Sequence, residues 1–152
     1  MANMTELPAQ LPKWISDHIE LYRTDPDKAH HWDSSVGGGK GLLPTLLLTT
    51  IGRSSGQPRP LPLIYRKIGS AWVVIGSKGG APAHPVWYLN LVAHPDVTLQ
   101  AGREVVEARA RTAVGEERAR LWKDMVEIYP PYADYQVRSG AREIPVIVLE
   151  RR

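Results

Sequence analysis

The chain has 152 residues, enough for one domain with a sizeable core, and its 43% apolar and 23% charged residues are the balance of an ordinary globular protein. It contains no cysteine, which excludes disulfides, thiol catalysis and thiolate metal sites, and no apolar run reaches the eighteen residues a transmembrane helix needs. The net charge of +3, with acids and bases interspersed, fits a small anionic partner better than nucleic acid.

The opening MANMTELPAQLPKW lacks a basic region and an apolar stretch, so no signal peptide is expected and the chain reads as cytoplasmic. Over residues 11–23, Leu11, Trp14, Ile15, His18, Ile19 and Tyr22 fall on one face of an amphipathic helix. That face could pack on the domain, form a lid, or touch the inner face of the membrane weakly; Asp17 and Glu20 beside Lys13 and Arg23 argue against a strong membrane contact. Residues 24–41, TDPDKAHHWDSSVGGGKG, read as a loop rich in turn formers.

A buried strand is expected over 45–51 (TLLLTTI), then the turn GRSSGQPRP, then a strand over about 61–67. Gly69-Ser70 makes a tight hairpin into a strand over 71–77. Residues 85–93 form a short helix with Val86, Leu89 and Val92 or Ala93 inward, and 96–100 form a strand. In 103–114, Val106, Ala108, Ala110 and Thr112 alternate with Glu107, Arg109 and Arg111, which predicts a strand with one wet face. A helix over 116–129 turns Leu121, Trp122, Met125 and Tyr129 inward, and a buried strand over 144–149 closes the chain. About six strands, mostly linked as hairpins with helices inserted, predict an α+β protein built on an antiparallel sheet or small barrel.

Three motifs fail on inspection. GGGKG at 37–41 would need a glycine at position 34 and a hydroxyl at 41 to be a phosphate-binding P-loop, but Ser34 and Gly41 stand there. GRSSG at 52–56 matches a nucleophile elbow in letters only, because Gln57-Pro58-Arg59-Pro60 cannot continue into its helix. His30-His31 and His84 lack neighbours at metal-ligand spacing, so no metal is expected.

Two turns remain. Each follows a strand: GRSSGQPR presents Arg53 and Arg59 beside glycines and hydroxyls, and SKGG presents Lys78 beside backbone donors. Arginines pair bidentately with phosphate or carboxylate, and glycines expose N–H groups, so the pair could cradle one elongated anion. Spacing alone favours two solvated turns over a cradle.

LLLTTIGRSSGQPR, SKGGAPAHPVWYLNL, EERARLW, YPPYADYQ and REIPVIVLER resemble, in order and spacing, the deazaflavin-dependent nitroreductase family, from about residue 36 to the C-terminus. The resemblance implies a split β-barrel over 36–152, preceded by a helix and loop over 1–35, and the cofactor F420, a deazaflavin with a phosphate and polyglutamate tail. It implies that Arg53, Ser54 and Arg59, with Lys40, hold the phosphate and tail. Ser77, Lys78, Gly79 and Gly80 would meet the ring edge, and Pro85, Trp87 and Asn90 would shape the wall beneath. Ser54 stands where family members often carry Lys or Arg, which implies weaker tail affinity. Tyr65, Tyr129, Tyr132 and Tyr135 would face the substrate, with an apolar wall at Ile64.

The expected function is hydride transfer from reduced F420 to a quinone, with nitroaromatics and nitroimidazoles as adventitious acceptors. Charge building on the acceptor oxygen calls for a phenol donor: Tyr135 first, Tyr132 second, with Ser77 positioning from the opposite side. The chain is expected to act as a monomer or weak dimer. An FMN-dependent relative of pyridoxamine-phosphate oxidases and a non-catalytic binder of F420, haem or lipid are the alternatives.

Overall fold

The computed structural model describes residues 12–152. Leu11, expected on the first helical face, lies outside the described residues. The order is α1 (Lys13–Thr24), α2 (Pro26–Ala29), β1 (His31–Asp33), a 3-10 turn, β2 (Leu42–Ile51), β3 (Pro58–Ile64), β4 (Arg66–Ile68), β5 (Ala71–Ile75), a second 3-10 turn, α3 (Val86–Ala93), β6 (Asp96–Ala101), β7 (Glu104–Thr112), α4 (Gly115–Ile128), α5 (Pro131–Arg138) and β8 (Val146–Arg151). The strands form one eight-stranded sheet in the order β1-β2-β6-β7-β8-β5-β4, with β3 on the other edge of β2, and every pairing is antiparallel. The sheet curls as a split barrel, and the protein is α+β as expected.

Two apolar clusters use opposite faces of the same strands. Trp72 and Val74 of β5, with Ile147 and Leu149 of β8, pack inside the curl against Leu46, Leu48, Leu99 and Leu91. Their sequence neighbours Val73, Ile75, Val146 and Val148 pack outward against Leu121 and Met125 of α4 and against Tyr129 and Tyr132. A strand buried on both faces reads as a continuous apolar run, and this explains AWVVI and VIVL. Where only one face is covered, the run alternates: Val106, Ala108 and Ala110 of β7 are buried while Glu107, Arg109 and Arg111 are exposed. Thr112, expected inward, is exposed at the strand end.

The described residues form eight strands rather than about six, for two reasons. The segment 24–41 contains β1, whose Trp32 pairs with Leu43, so the sheet begins before residue 36. The segment read as a turn and one strand divides differently, with β3 starting at Pro58 and the chain breaking at Tyr65 before β4. Pro58, Pro60 and Pro62 recur every second residue and therefore point their missing donors toward one edge, while the other edge pairs with β2 from Ile51↔Pro58 to Thr45↔Ile64.

Two helical faces differ from expectation. In α3, Trp87, Asn90 and Leu91 are buried, while Val86 and Val92 are about 60% exposed. Asn90 wins a buried place because it is fully hydrogen-bonded, as described below. In α1, His18, Ile19 and Tyr22 are buried, and the Tyr22 hydroxyl donates to the Thr45 carbonyl at 2.6 Å, so the helix packs on the sheet. Trp14, expected inward, is 54% exposed.

Candidate active site

A cavity of about 270 Å³ opens beside the outward cluster. Its walls are Trp14 and His18 of α1, Trp32 of β1, Thr45 of β2, Pro62, Leu63 and Ile64 of β3, Ile75 of β5, and Ser77 and Gly79 after it. Tyr129, Tyr132 and Tyr135 complete it.

YPPY builds the tyrosine wall. Tyr129 ends α4, its N–H donating to the Met125 carbonyl at 3.0 Å, and Pro131 opens α5 where a missing N–H costs nothing. The rings of Tyr129 and Tyr132 meet edge to face at 4.9 Å, as do those of Tyr132 and Tyr135 at 6.2 Å. The Tyr129 hydroxyl donates to the Gly37 carbonyl at 3.0 Å and lies 3.3 Å from the Tyr135 hydroxyl. Tyr132 is buried, and its hydroxyl has no hydrogen-bond partner among the described residues. Burial pushes the Tyr129 and Tyr132 phenols above their ordinary value, so both stay protonated at neutral pH.

The triple glycine at 37–39 has its explanation here. A Cβ at Gly37 would overlap the Tyr129 hydroxyl, and one at Gly39 would lie 2.6 Å from the Ser34 hydroxyl and 2.9 Å from the Tyr129 ring. These glycines let the backbone lie against a phenol.

The turn after β2 is braced from α3. The Asn90 side-chain carbonyl accepts from the Arg53 backbone N–H at 3.2 Å and from Arg53 Nη1 at 3.3 Å, and its Nδ2 donates to Thr50 Oγ1 at 3.3 Å. Arg59 Nη2 donates to Ser55 Oγ at 3.2 Å. Ser55 is therefore the hydroxyl that bonds within the turn, and both Ser54 and Ser55 are exposed. Among the described residues Lys40, Arg53, Arg59 and Lys78 have no carboxylate partner, whereas Arg103, Arg109, Arg111, Arg151 and Arg152 all do. Unneutralised guanidinium groups beside an open glycine turn suit an anion.

The loop after β5 bends through three residues of positive φ: Lys78 at 48°, Gly79 at 61° and Gly80 at 83°. Only glycine fits at Gly80, where a Cβ would sit 2.7 Å from the Tyr135 carbonyl oxygen. Close approach here brings the lysine loop against α5 and its tyrosines.

Of the residues expected at the site, Ser77, Gly79, Tyr129, Tyr132 and Tyr135 line one cavity, as does Ile64. Arg53 lies in the turn after β2 and Arg59 at the start of β3, Asn90 of α3 braces that turn, and Pro85 caps α3. Lys40 is exposed beside Gly39. Trp87 belongs to the inner cluster. Tyr65 does not line the cavity: Ile64 takes that wall, and the next side chain turns to the opposite side, where the Tyr65 hydroxyl pairs with His30 Nε2 at 2.7 Å. Sequence reasoning gave no place in the cavity to Trp32 or Thr45. It also missed Arg142, which donates into the loop after β5. Trp32 stacks on Trp14 with centroids 6.0 Å apart, but its segment reads as a loop because β1 is only three residues long.

The model of the F420H(2)-dependent quinone reductase family matches residues 21–151. An F420H(2)-dependent quinone reductase of Mycobacterium tuberculosis (strain H37Rv) is 43% identical over 148 residues, covering 93% of this chain and 99% of that protein. The solved structure of an F420-H2-dependent reductase, FDR-A, is 44% identical with a TM-score of 0.65, over 70% of this chain and 93% of that one. Another solved structure, described as a domain-swapped dimer, has the same identity and TM-score over 70% of this chain and 79% of that one.

Proposed function

Because the chain belongs to the F420H(2)-dependent quinone reductase family, we propose that it holds coenzyme F420 between the Arg53 turn and the 77–80 loop and reduces a quinone in the tyrosine-lined cavity. The chain is an oxidoreductase, and F420 is its cofactor. The residues present fit that group. Arg53 and Arg59, which have no carboxylate partner among the described residues, offer guanidinium groups to a phosphate and an acidic tail, and a Cβ at Gly56 or Gly79 would meet nothing within 4 Å, so both turns are open above the backbone. When bound, reduced deazaflavin supplies a hydride equivalent, a two-electron donation.

The protein's part is orientation, exclusion of water and proton supply. Ile64, Ile75, Leu63 and the indoles of Trp14 and Trp32 give the cavity apolar walls. A quinone gaining a hydride builds negative charge on oxygen, and a fixed phenol stabilises it. The observation that carries this reading is that Tyr132, whose hydroxyl has no hydrogen-bond partner among the described residues, lines a cavity bordered by Ser77 and Gly79. The Gly37 carbonyl cannot donate, so the single Tyr129 proton goes to it and Tyr135 must donate to Tyr129. The hydrogen bonding therefore favours Tyr132 over Tyr135 as donor, the reverse of the order expected from sequence. Nitro compounds, like quinones, are electron-poor acceptors that build negative charge on oxygen when reduced, and we read them as adventitious acceptors.

We place any weak membrane contact at the exposed Trp14, since the rest of the apolar face of α1 is largely used in packing. Reduced F420 carrying deuterium at its donor carbon tests the hydride step: a primary isotope effect on single-turnover menadione reduction supports it, and equal single-turnover rates for the deuterated and ordinary cofactors contradict it.

A further inference from the structure

Lys78 holds the one positive φ outside glycine among the described residues, and such a conformation persists only where its surroundings over-determine it. The surroundings converge on one side chain. Arg142, in the segment between α5 and β8, donates from Nη1 to the Gly76 carbonyl at 3.0 Å, from Nη2 to the Ser77 carbonyl at 2.7 Å and from Nε to the Ala81 carbonyl at 2.9 Å. Its Nη1 also meets His84 Nδ1 at 3.1 Å. These acceptors bracket the three residues of positive φ on both sides. Arg142 has no carboxylate partner among the described residues, and burial pushes its guanidinium below the ordinary value.

The backbone of Arg142 is tied the other way. Its carbonyl accepts from Gln136 Nε2 at 2.8 Å and from Ser139 Oγ at 2.8 Å, and Gln136 Oε1 accepts from the Ile144 N–H at 2.9 Å. Gln136 directly follows Tyr135 on α5. One arginine therefore links the tyrosine helix to the lysine loop.

We propose that Arg142 is a positioning residue for the reaction, holding Ser77 and Lys78 in register with the tyrosines of α5 without touching cofactor or substrate. The inference rests on the function proposed above. The planar fork matters: its donors reach acceptors in several directions, which a point-charge ammonium at the same place cannot do. Releasing it lets Lys78 relax toward negative φ and carries the Ser77 hydroxyl out of line.

Arg142→Lys tests this in two readouts. In the cofactor-free protein, amide hydrogen exchange over 77–81 should rise at least about tenfold while β2, β6 and β7 keep their protection. With reduced F420 and menadione both saturating, kcat per folded molecule should fall about tenfold. Unchanged exchange in the loop overturns the proposal, and so does faster exchange with an unchanged kcat, because either result leaves Arg142 a structural side chain only. If Arg142→Lys does not fold, His84→Ala removes one acceptor of the four and should raise loop exchange about two- to threefold; no rise overturns the proposal. A parent protein that fails to reduce menadione overturns the function instead, and the exchange measurement still decides whether Arg142 fixes the loop.

Discussion

The Tyr129 hydroxyl donates to the Gly37 carbonyl and therefore accepts from Tyr135, 3.3 Å away. That relationship assigns three similar phenols different roles. Tyr135 has its proton committed and Tyr129 passes none on, whereas Tyr132 lines the cavity with a hydroxyl that has no hydrogen-bond partner among the described residues. Replacing Tyr132 by phenylalanine keeps the ring and removes the donor. Tyr132→Phe should cut menadione turnover at least about tenfold with F420 affinity within about threefold, and Tyr135→Phe should cost only a few-fold. Steady-state kinetics with equal loss in both, or none in either, would place the donor elsewhere.

The cation turn gives a second prediction. Arg59→Ala removes a charge-assisted contact of about 1.5–3 kcal/mol, so F420 should bind about ten- to hundredfold more weakly, with a reduced dependence on salt. Asn90→Asp is the sharper variant. It keeps both acceptor contacts to Arg53 and adds a negative charge beside that guanidinium. The melting temperature should stay within a few degrees while affinity falls at least about tenfold. Calorimetric titration showing parental affinity in Asn90→Asp would remove Arg53 from the cradle.

These residues show what the sequence could reveal and what it could not. The strands were legible because burial on one or both faces leaves period two or a solid apolar run, as in β7 and β8. Three positions in every other place let prolines hide in β3, and a three-residue β1 carries too little pattern to be seen. Most of the site's motifs were visible as turns with cations and as YPPY. The hydrogen bonds of Asn90, Tyr129 and Arg142 were not, since each joins segments far apart in the chain and leaves no spacing to read.

Alkaline pH should separate the phenols from ordinary surface tyrosines. Burial raises the folded-state values of Tyr129 and Tyr132 above the unfolded 10.0, so their contribution to stability is complete below pH 10 and is lost as pH rises beyond it. Denaturant unfolding should be flat from about pH 8 to 10 and weaken above, with a shallower fall in Tyr132→Phe. An identical fall in that variant would show that the Tyr132 phenol is not held protonated by burial.

Acid pH acts through His30. Burial, with His31 beside it, lowers its folded-state value below 6.5, so the unfolded chain takes the proton first. Its stability contribution is present above pH 6.5 and is lost as pH falls below it. His30→Gln should therefore lose less melting temperature than the parent between pH 7.5 and 5.5, and an equal or larger loss would exclude His30 as a cause.

The central claim is that F420 and a quinone meet in one site made by the 77–80 loop and the α5 tyrosines. Anaerobic stopped-flow mixing of the protein with reduced F420 and menadione tests it most directly, by following the visible band of the oxidised cofactor. The account predicts that the band returns at a rate proportional to protein concentration, about tenfold slower with Tyr132→Phe at saturating cofactor. A band that returns no faster than without protein would contradict it.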